Sequence, residues 1–382
     1  MRSDHTATTM RATVPRARLM RQDAVMSAVD ELGVRIGTIQ RGPAGSLADV
    51  PGVGVGHATI VRDEDPPPAG RGTARTGVTV VCVARDAYTR PVPAGGAVLN
   101  GAGECTGLIT AAEWGLLETP ILLTSTMQLG RVYDAACELM VEAHPEVGTR
   151  VVIPVVGECD DSYLNDAGRM QVTRDDVAEA WRVAHRRAAS GAAAEQGSVG
   201  AGTGMSCLGF KGGVGEASRL TAQGHTVAVL LLTNFGSRDR LTVDGVPVGR
   251  LLHPDPYPEP EPAGSCLGVV VTDAPLDGAT CSRLARRIGL GLARTGSTAH
   301  HGSGEIFMAA ATGLRAASSG GPLSGVPLGG GDLNELFAAV VEASEEAVLS
   351  SLASSTTTWG RDGHAREGLP LAAVRDLVAA RR

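Results

Sequence analysis

AGSCLGVVVTDAPL (residues 263–276) contains a Gly-Ser pair followed at once by a run of mostly β-branched apolar residues. This run predicts a buried strand that begins near Ser265. The segment before it, HPDPYPEPEPAG (253–264), has a proline at every second position from Pro254 to Pro262. Such a segment cannot pair within a sheet or continue a helix, and it favours a solvated, extended conformation. The sequence therefore predicts an exposed tether that leads directly into a core strand.

The junction between tether and strand points to a chain that is cut there. Cleavage of the Gly264–Ser265 bond would leave Ser265 as a new N-terminus at the head of the strand. Such a serine carries its own base, because its free α-amine, with a pKa of about 8, can accept the hydroxyl proton. Gly264 has no Cβ, so its carbonyl carbon can be approached closely. We therefore hypothesise that Ser265 is a nucleophile exposed by cleavage of this bond.

The composition is typical of a globular protein without a nucleic-acid or membrane partner. The 382 residues are 43% apolar and 20% charged, with a formal net charge of −7 and a single lysine, Lys211. No basic surface for nucleic acid is expected, and no apolar run reaches the roughly 18 residues of a membrane-spanning helix. The seven cysteines are odd in number and never in CxxC spacing. We interpret them as reduced core residues of a cytoplasmic protein, and not as a disulfide frame or a zinc site.

Residues 1–28 are expected to be a disordered extension. The first 25 or so are basic and lack the continuous apolar stretch of a signal peptide. A disordered extension or a misplaced start codon ahead of Met26 is favoured over a targeting signal. Residues 29–382 are then one catalytic domain, which the cut between residues 264 and 265 would divide into two subunits.

Strands and helices recur along the chain without the strict alternation of a Rossmann fold. A central pair of sheets covered by helices fits this order better. Apolar and β-branched runs predict strands at 46–59, 76–84, 120–125, 151–156, 226–233 and 306–312. The segment GAGECTG (101–107) opens a helix that is expected to run to about residue 117. Periodic apolar positions predict further helices over 132–140, 177–188, 276–294 and 333–352.

The segment GSVGAGTGMSCLGFKGGVG (197–215) is dense in glycine, and the backbone amides of such a loop can cradle an anion. It matches neither GxxxxGK[ST] nor GxGxxG between a strand and a helix, since Lys211 is followed by Gly212 and not by a hydroxyl residue. Two interpretations stay open. In the first, the loop allows close packing of backbones or lines a pocket. In the second, it binds a small molecule or nucleotide in a chain that remains uncleaved.

Three polar residues suit acyl-transfer chemistry. Ser303 and Glu305 would project from the same face of a strand, so the carboxylate could polarise a hydroxyl or an amine. Asn234 follows the apolar strand 226–233 and offers an amide donor of the oxyanion-hole type. His300 and His301 would point to opposite faces of an extended strand, which argues against a metal site. Taken singly, each polar residue is equally consistent with a surface loop or turn.

These residues stand within a set of motifs that resembles the self-processing N-terminal-serine aminopeptidases, which include L-aminopeptidase/D-amidase/D-esterase and the β-peptidyl aminopeptidases. The match runs from about residue 36 to 348, and its order and spacing are more specific than any single motif. The motifs are ADVPGV (48–53), VGH (55–57), VLNGAGE (98–104), GLLETPILLT (115–124), GE (157–158), LND (164–166), GAGTGMSCLGFKGG (200–213), NFG (234–236), GS (264–265), TDAPL (272–276) and GSGE (302–305).

The resemblance implies an α/β fold, an αββα sandwich like that of the N-terminal-nucleophile hydrolases but with different connectivity. It also implies a catalytic apparatus built around a nucleophile released by self-cleavage of the Gly264–Ser265 bond. The implied roles are Ser265 as nucleophile, Ser303 and Glu305 as the residues that position and tune it, Asn234 and Tyr163 as oxyanion donors, and Glu158 as the partner of the substrate ammonium.

The activity implied is that of an aminopeptidase or amidase, with no cofactor and no metal. It would release N-terminal residues from short peptides, amides and esters, and cleaved subunit pairs would assemble into a homo-oligomer. A related self-processing acyltransferase is an alternative, although the proteins of that group use threonine at the cleavage point, where this chain has Ser265. The segment CDDS (159–162) belongs to no motif of the family, so the lining of the substrate pocket is not predicted.

Overall fold

The computed structural model describes residues 27–257, 264–318 and 320–381. The expected extension therefore lies almost entirely outside the described residues, as does the segment 258–263 of the tether. The described chain begins with Ser27, whose hydroxyl caps a 3-10 helix, Ala28–Leu32.

Strands and α-helices follow one another along the described residues without a regular alternation. The strands are β1 (Gln40–Arg41), β2 (Gly54–Asp63), β3 (Thr73–Cys82), β4 (Val92–Gly101), β5 (Leu116–Leu117), β6 (Ile121–Ser125), β7 (Val155–Cys159), β8 (Ser206–Cys207), β9 (Phe210–Lys211), β10 (Gly213–Leu220), β11 (Thr226–Asn234), β12 (Gly264–Thr272), β13 (Ser303–Ala311), β14 (Thr358–Trp359) and β15 (Ala365–Arg366). The α-helices are α1 (Leu108–Trp114), α2 (Leu129–Ala143), α3 (Arg174–Ser190), α4 (Val248–Leu251), α5 (Gly278–Ala285), α6 (Ile288–Thr295), α7 (Leu333–Ala353) and α8 (Leu371–Ala379).

Two sheets face each other at the centre of the molecule. The larger has the order β1-β10-β11-β12-β13-β4-β5, and the smaller has the order β2-β3-β6-β7. Helices α5, α6 and α7 cover the outer face of the larger sheet, while α2 and α3 cover the smaller one. The layers thus follow the αββα order, and the expected fold class is confirmed. No helix of the described ranges combines the length and the apolar character needed to cross a membrane.

Side-chain alternation along the central strands creates separate core layers. In β12, Leu267, Val269 and Val271 pack between the two sheets. Cys266 and Val270 point the other way, toward the helices. Every residue of β11, β12 and β13 is buried, because these strands are covered on both faces. This explains their nearly continuous apolar sequences.

Glycine lets the helices lie directly on the sheets. A Cβ on Gly56 would lie 2.1 Å from the carbonyl oxygen of Ala180 in α3, and one on Gly215 would lie 1.9 Å from that of Ala347 in α7. Both separations are shorter than a carbon and an oxygen can approach without a bond, so these contacts require glycine. Such close layers leave little space for large rings, in keeping with an aromatic content of 3%.

The strand that begins at the predicted cleavage point lies in the middle of the larger sheet. β12 pairs antiparallel with β11 and parallel with β13. Ser265 therefore lies opposite Asn234 on one side and opposite Gly304 on the other. Asn234, Ser265 and Ser303 thus lie at the adjacent ends of three neighbouring strands, β11, β12 and β13.

Candidate active site

Ser265 presents a buried hydroxyl with no partner. The residue is 3% exposed, and its Oγ makes no hydrogen bond to any part of the chain that the structure describes. By strand alternation its side chain lies on the inter-sheet face, near the Cys159 thiol of β7. A buried hydroxyl left unpaired can bind or react with a further group.

Ser303 and Glu305 form a buried pair on β13. The Ser303 hydroxyl donates to Glu305 Oε1, and neither residue is accessible to solvent beyond 1%. The second carboxylate oxygen, Oε2, has no hydrogen-bond partner among the described residues. Burial raises the pKa of Glu305, because the charged form loses its hydration. Glu305 can therefore hold a proton at a higher pH than an exposed glutamate.

Ser303 faces the residue before the cleavage point. It lies opposite Gly264 in the parallel ladder, and a Cβ on Gly264 would lie 2.9 Å from Ser303 Oγ. Residues paired across a ladder project to the same face, whereas the next residue along the strand, Ser265, projects to the opposite face. Ser303 and Glu305 therefore approach Ser265 through the backbone of the Gly264–Ser265 bond, and not from the side of its Oγ.

Asn100, to which the sequence assigns no role, holds the turn that precedes Ser303. Its Nδ2 donates to the carbonyl oxygens of His300 at 2.8 Å and of Ser303 at 2.5 Å. The ladder between β13 and β4 shifts register here: Glu305 pairs with Asn100, but Ile306 already pairs with Val98. Such a bulge redirects local side chains and is common next to active sites.

The Asn234 side chain is fixed in one orientation by two hydrogen bonds. Its Oδ1 accepts from the Ser206 backbone N–H at 2.8 Å, and its Nδ2 donates to the Asp160 carbonyl oxygen at 2.8 Å. An amide nitrogen carries two hydrogens, so one remains for a further acceptor. Asn234 lies directly opposite Ser265 in the ladder. The free N–H is therefore suited to stabilising an oxyanion formed at Ser265.

Tyr163 lies beside the tether. Its hydroxyl donates to the carbonyl oxygen of Tyr257 at 3.4 Å, and its ring stacks on His364 with the centroids 4.5 Å apart. The Arg366 guanidinium lies over the same ring at 4.0 Å and donates through Nε to Ser206 Oγ at 3.1 Å. Tyr163 is thus connected to the residue that orients Asn234, although its hydroxyl is turned toward Tyr257.

Glu158 is a buried carboxylate near the Ser265 strand end. It accepts from the Glu104 backbone N–H at 2.9 Å and from the Thr126 hydroxyl. A Cβ on Gly103 would lie 3.2 Å from Glu158 Oε1 and 3.5 Å from the Cα of Gly304, the ladder partner of Ser265. Burial raises the pKa of Glu158, so a cationic ligand would stabilise its charged form.

The glycine-rich segment packs backbone against backbone. A Cβ on Gly202 would lie 2.5 Å from the backbone nitrogen of Val214, and one on Gly213 would lie 2.1 Å from the carbonyl oxygen of Gly197. This supports the close-packing interpretation of the segment. Within the described ranges, no group of three or more His, Cys, Asp and Glu side chains is placed to hold a metal ion.

Four residues around these groups escape prediction from the sequence. Asn100 and Lys211 lie inside the quoted motifs, and nothing else in the sequence indicates a role for them. Arg366 lies beyond the resemblance found in the sequence, which ends near residue 348, and Asp161 lies in the segment 159–162, which belongs to none of the quoted motifs. Each acts through contacts with distant parts of the chain.

Comparison with known proteins agrees with this geometry. The model of peptidase family S58 matches residues 45–366. The beta-peptidyl aminopeptidase BapA of Sphingosinicella xenopeptidilytica is 35% identical over 360 residues, which cover 89% of this chain and 88% of that protein. The protein of the same name from Sphingosinicella microcystinivorans is 35% identical over 356 residues, with 88% of each chain covered.

Solved structures show the same architecture. A Burkholderia sp. beta-aminopeptidase superimposes with a TM-score of 0.83 at 39% identity, covering 93% of this chain and 99% of that one. The L-aminopeptidase D-Ala-esterase/amidase of Ochrobactrum anthropi, described as a new variant among the Ntn hydrolase fold, has a TM-score of 0.84 at 32% identity, with 93% and 98% covered. Since both the family match and the relatives extend over most of its length, the chain belongs to peptidase family S58.

Proposed function

We propose that this serine peptidase is an aminopeptidase and amidase that becomes active by cutting itself between Gly264 and Ser265. The observation that carries the proposal is the unpaired, buried Ser265 Oγ at the head of β12, opposite the oriented amide of Asn234. The names of the relatives support the class of reaction, and the geometry supports the residues that perform it.

Processing begins with attack of Ser265 Oγ on the Gly264 carbonyl carbon. The C–N bond breaks, the hydroxyl proton passes to the leaving nitrogen, and an ester joins Gly264 to Ser265 Oγ. Water then hydrolyses the ester and leaves a Gly264 carboxylate and a Ser265 with a free α-amine. Ser303 and Glu305, which approach the backbone of this bond, are the proposed route by which a proton reaches the nitrogen.

Substrate hydrolysis uses the same oxygen with a different base. The α-amine of Ser265 accepts the hydroxyl proton while Oγ attacks the substrate carbonyl. The free N–H of Asn234 stabilises the oxyanion, with Tyr163 as a second proposed donor. The protonated α-amine then gives its proton to the leaving amine or alcohol, and water releases the acyl group. The Ser303–Glu305 pair holds the α-amine in place through this exchange.

Glu158 is the proposed partner of the substrate's free ammonium group. A buried carboxylate is best tolerated when a cation pairs with it, and the contacts of Gly103 place Glu158 near the strand end that carries Ser265. This pairing favours substrates with a free N-terminus. Short peptides, amides and esters fit such a site better than the middle of a folded chain.

The cleaved subunit pairs are proposed to form a homo-oligomer in the cytoplasm. Ile109, Trp114 and Val151 expose 86%, 57% and 77% of their surface. Trp114 and Val151 line one groove of mainly apolar residues, and exposed apolar patches of this kind favour association. All seven cysteines are unpaired, and six of them are buried, which suits a reducing compartment.

Intact-mass measurement with N-terminal sequencing tests the processing. Two polypeptides are expected, residues up to 264 and residues 265–382, the second beginning Ser-Cys-Leu-Gly-Val. Ser265→Ala should remain one chain without hydrolytic activity, because the attacking oxygen is gone. A full-length species with full activity would overturn the processing hypothesis.

A further inference from the structure

We propose that Lys211 and Asp161 are positioning residues, which hold the Asn234 amide in the orientation needed for oxyanion stabilisation. The inference rests on the proposed oxyanion role of Asn234. Neither residue belongs to the reacting groups. Each controls one of the two peptide units to which the Asn234 side chain is hydrogen-bonded.

Lys211 is the single lysine of the sequence and is fully buried. Its Nζ donates to the carbonyl oxygens of Gly202, Met205 and Gly212 at 3.0, 2.9 and 2.7 Å. An ammonium group has three N–H donors, so the charged form satisfies all three acceptors. Burial lowers the pKa of Lys211 to about 7, while the nearby Asp161 carboxylate and the Cys207 thiol oppose that shift.

Lys211 and Asn234 hold opposite ends of the same peptide unit. The Met205 carbonyl, which accepts from Lys211, and the Ser206 N–H, which donates to Asn234 Oδ1, are joined in one planar group. Ser206 also pairs with Lys211 in the β8–β9 hairpin. Leu208, at the turn of this hairpin, donates through its backbone N–H to the Phe235 carbonyl at 2.6 Å. Lys211 thus fixes the Ser206 N–H from which Asn234 Oδ1 accepts a hydrogen bond.

Asp161 has the corresponding place on the other side. The Asp160 carbonyl, which accepts from Asn234 Nδ2, is joined to the Asp161 nitrogen in one peptide unit. The Asp161 carboxylate is buried and accepts from Ser125 Oγ at 2.8 Å and from Asn165 Nδ2 at 3.0 Å. These bonds anchor the segment that carries the Asp160 carbonyl.

The two supports together specify one amide orientation. A 180° rotation of the Asn234 amide would set its NH₂ against the Ser206 N–H and its oxygen against the Asp160 carbonyl, so both hydrogen bonds would be lost. In the observed orientation the second N–H of Nδ2 stays available on the inter-sheet face shared with Ser265. The negative charge of the Asp161 carboxylate favours the charged form of Lys211.

A double-mutant cycle separates this role from a structural one. Lys211→Met, Asn234→Ala and the double variant are made in the full chain, and kcat and KM for alanine p-nitroanilide are measured per processed active site. Lys211→Met is expected to lower kcat about 10–100-fold, with KM within about twofold. In the Asn234→Ala background the same change should lower kcat by less than about twofold, because the group it positions is gone.

Asp161→Asn keeps the shape of the side chain and provides a second test if Lys211→Met does not fold. It should show the same pattern, with a decrease in kcat of about 10-fold. Glu216→Gln is the matched control: Glu216 is also a buried ionisable residue, but it accepts from the Leu47 backbone N–H, and the kcat of this variant should stay unchanged. If a variant is cleaved too slowly for kcat to be measured, its processing rate replaces kcat in the same cycle.

Full additivity of Lys211→Met and Asn234→Ala would overturn this inference alone, as would an effect confined to KM. Asn234→Ala with unchanged kcat would overturn the oxyanion role itself and with it the inference. The two failures are therefore distinguishable.

Discussion

Ser303 lies directly beside Gly264 in the ladder between β12 and β13, and its Oγ lies 2.9 Å from the point that a Cβ on Gly264 would occupy. The residue before the proposed cleavage point thus lies next to the Ser303 hydroxyl, which is itself hydrogen-bonded to Glu305. Glycine in this position leaves space for the Ser303 side chain beside the Gly264–Ser265 bond. Any side chain at residue 264 would displace Ser303.

Gly264→Ala should therefore slow processing by at least about 10-fold. Its Cβ would lie 2.9 Å from Ser303 Oγ and 3.3 Å from Ser303 Cβ, so the serine must move away from the Gly264–Ser265 bond. The decay of the full-length band after synthesis gives the rate. Gly302→Ala is the control, since a Cβ there meets nothing within 4 Å. Equal rates for the two variants would show that this contact does not matter.

Asn234→Ala should lower kcat by about 10²–10³, the usual consequence of losing an oxyanion donor. The reason is geometric: one N–H of Nδ2 is bound to the Asp160 carbonyl, which leaves the other for an oxyanion at Ser265, the ladder partner of Asn234. Steady-state kinetics on processed enzyme provide the measurement. A change in KM alone would mean that Asn234 binds substrate and transition state equally.

Glu305 predicts the acidic limb of the pH–rate profile. Burial raises the pKa of Glu305 above the usual value of 4.5, so the carboxylate forms, and activity rises, at a higher pH than for an exposed glutamate. The apparent pKa of that limb in kcat/KM checks the prediction. Glu305→Gln, which cannot ionise, should lose the limb together with most of the activity. A limb that survives in this variant would belong to another group.

Glu216 predicts an opposite dependence for stability. Burial raises the pKa of Glu216 to about 7 from 4.5. The folded state therefore binds more protons between these values, and stability falls as pH rises from 4.5 to 7. Glu216→Gln imitates the protonated form and should be more stable than the wild type at pH 7, by up to about 3 kcal/mol at about 1.4 kcal/mol per pKa unit. Melting temperatures at the two pH values test this, and a gain of equal size at pH 4.5 would contradict it.

The sequence predicts those features that depend on local periodicity. The strand expected at 226–233 is observed as Thr226–Asn234, because burial on both faces demands an unbroken apolar run. The helix expected at 276–294 is two helices, α5 and α6. Leu284, Ile288 and Leu292 are all buried in one core, so their spacing continues across the break and does not reveal it.

Strand limits fail where caps or exposure decide them. The strand expected at 46–59 begins only at Gly54, since Ser46 and Asp49 form a capping box around a 3-10 helix, Leu47–Asp49. In the site, the shared face of Ser303 and Glu305 follows from a period of two. The role proposed for Lys211 cannot be found in this way, because its three acceptors are carbonyls that only the closed loop brings together.

The selection of a free amine by Glu158 is the last prediction. Glu158 is buried with a raised pKa, so an ammonium ion that pairs with it would stabilise the carboxylate. Acetylation of alanine p-nitroanilide removes that charge and should lower kcat/KM by a factor equivalent to roughly 2–5 kcal/mol. Glu158→Gln should lose most of this discrimination by reacting more slowly with the free amine.

Glu104→Gln is the matched control for that experiment. Glu104 is a neighbouring carboxylate whose backbone N–H donates to Glu158, but its own side chain is exposed and should be screened by water. This variant should keep the wild-type preference for the free amine. Equal turnover of the free and acetylated substrates by the wild type would exclude aminopeptidase specificity. Unchanged discrimination in Glu158→Gln, with a loss in Glu104→Gln, would move the ammonium site to Glu104.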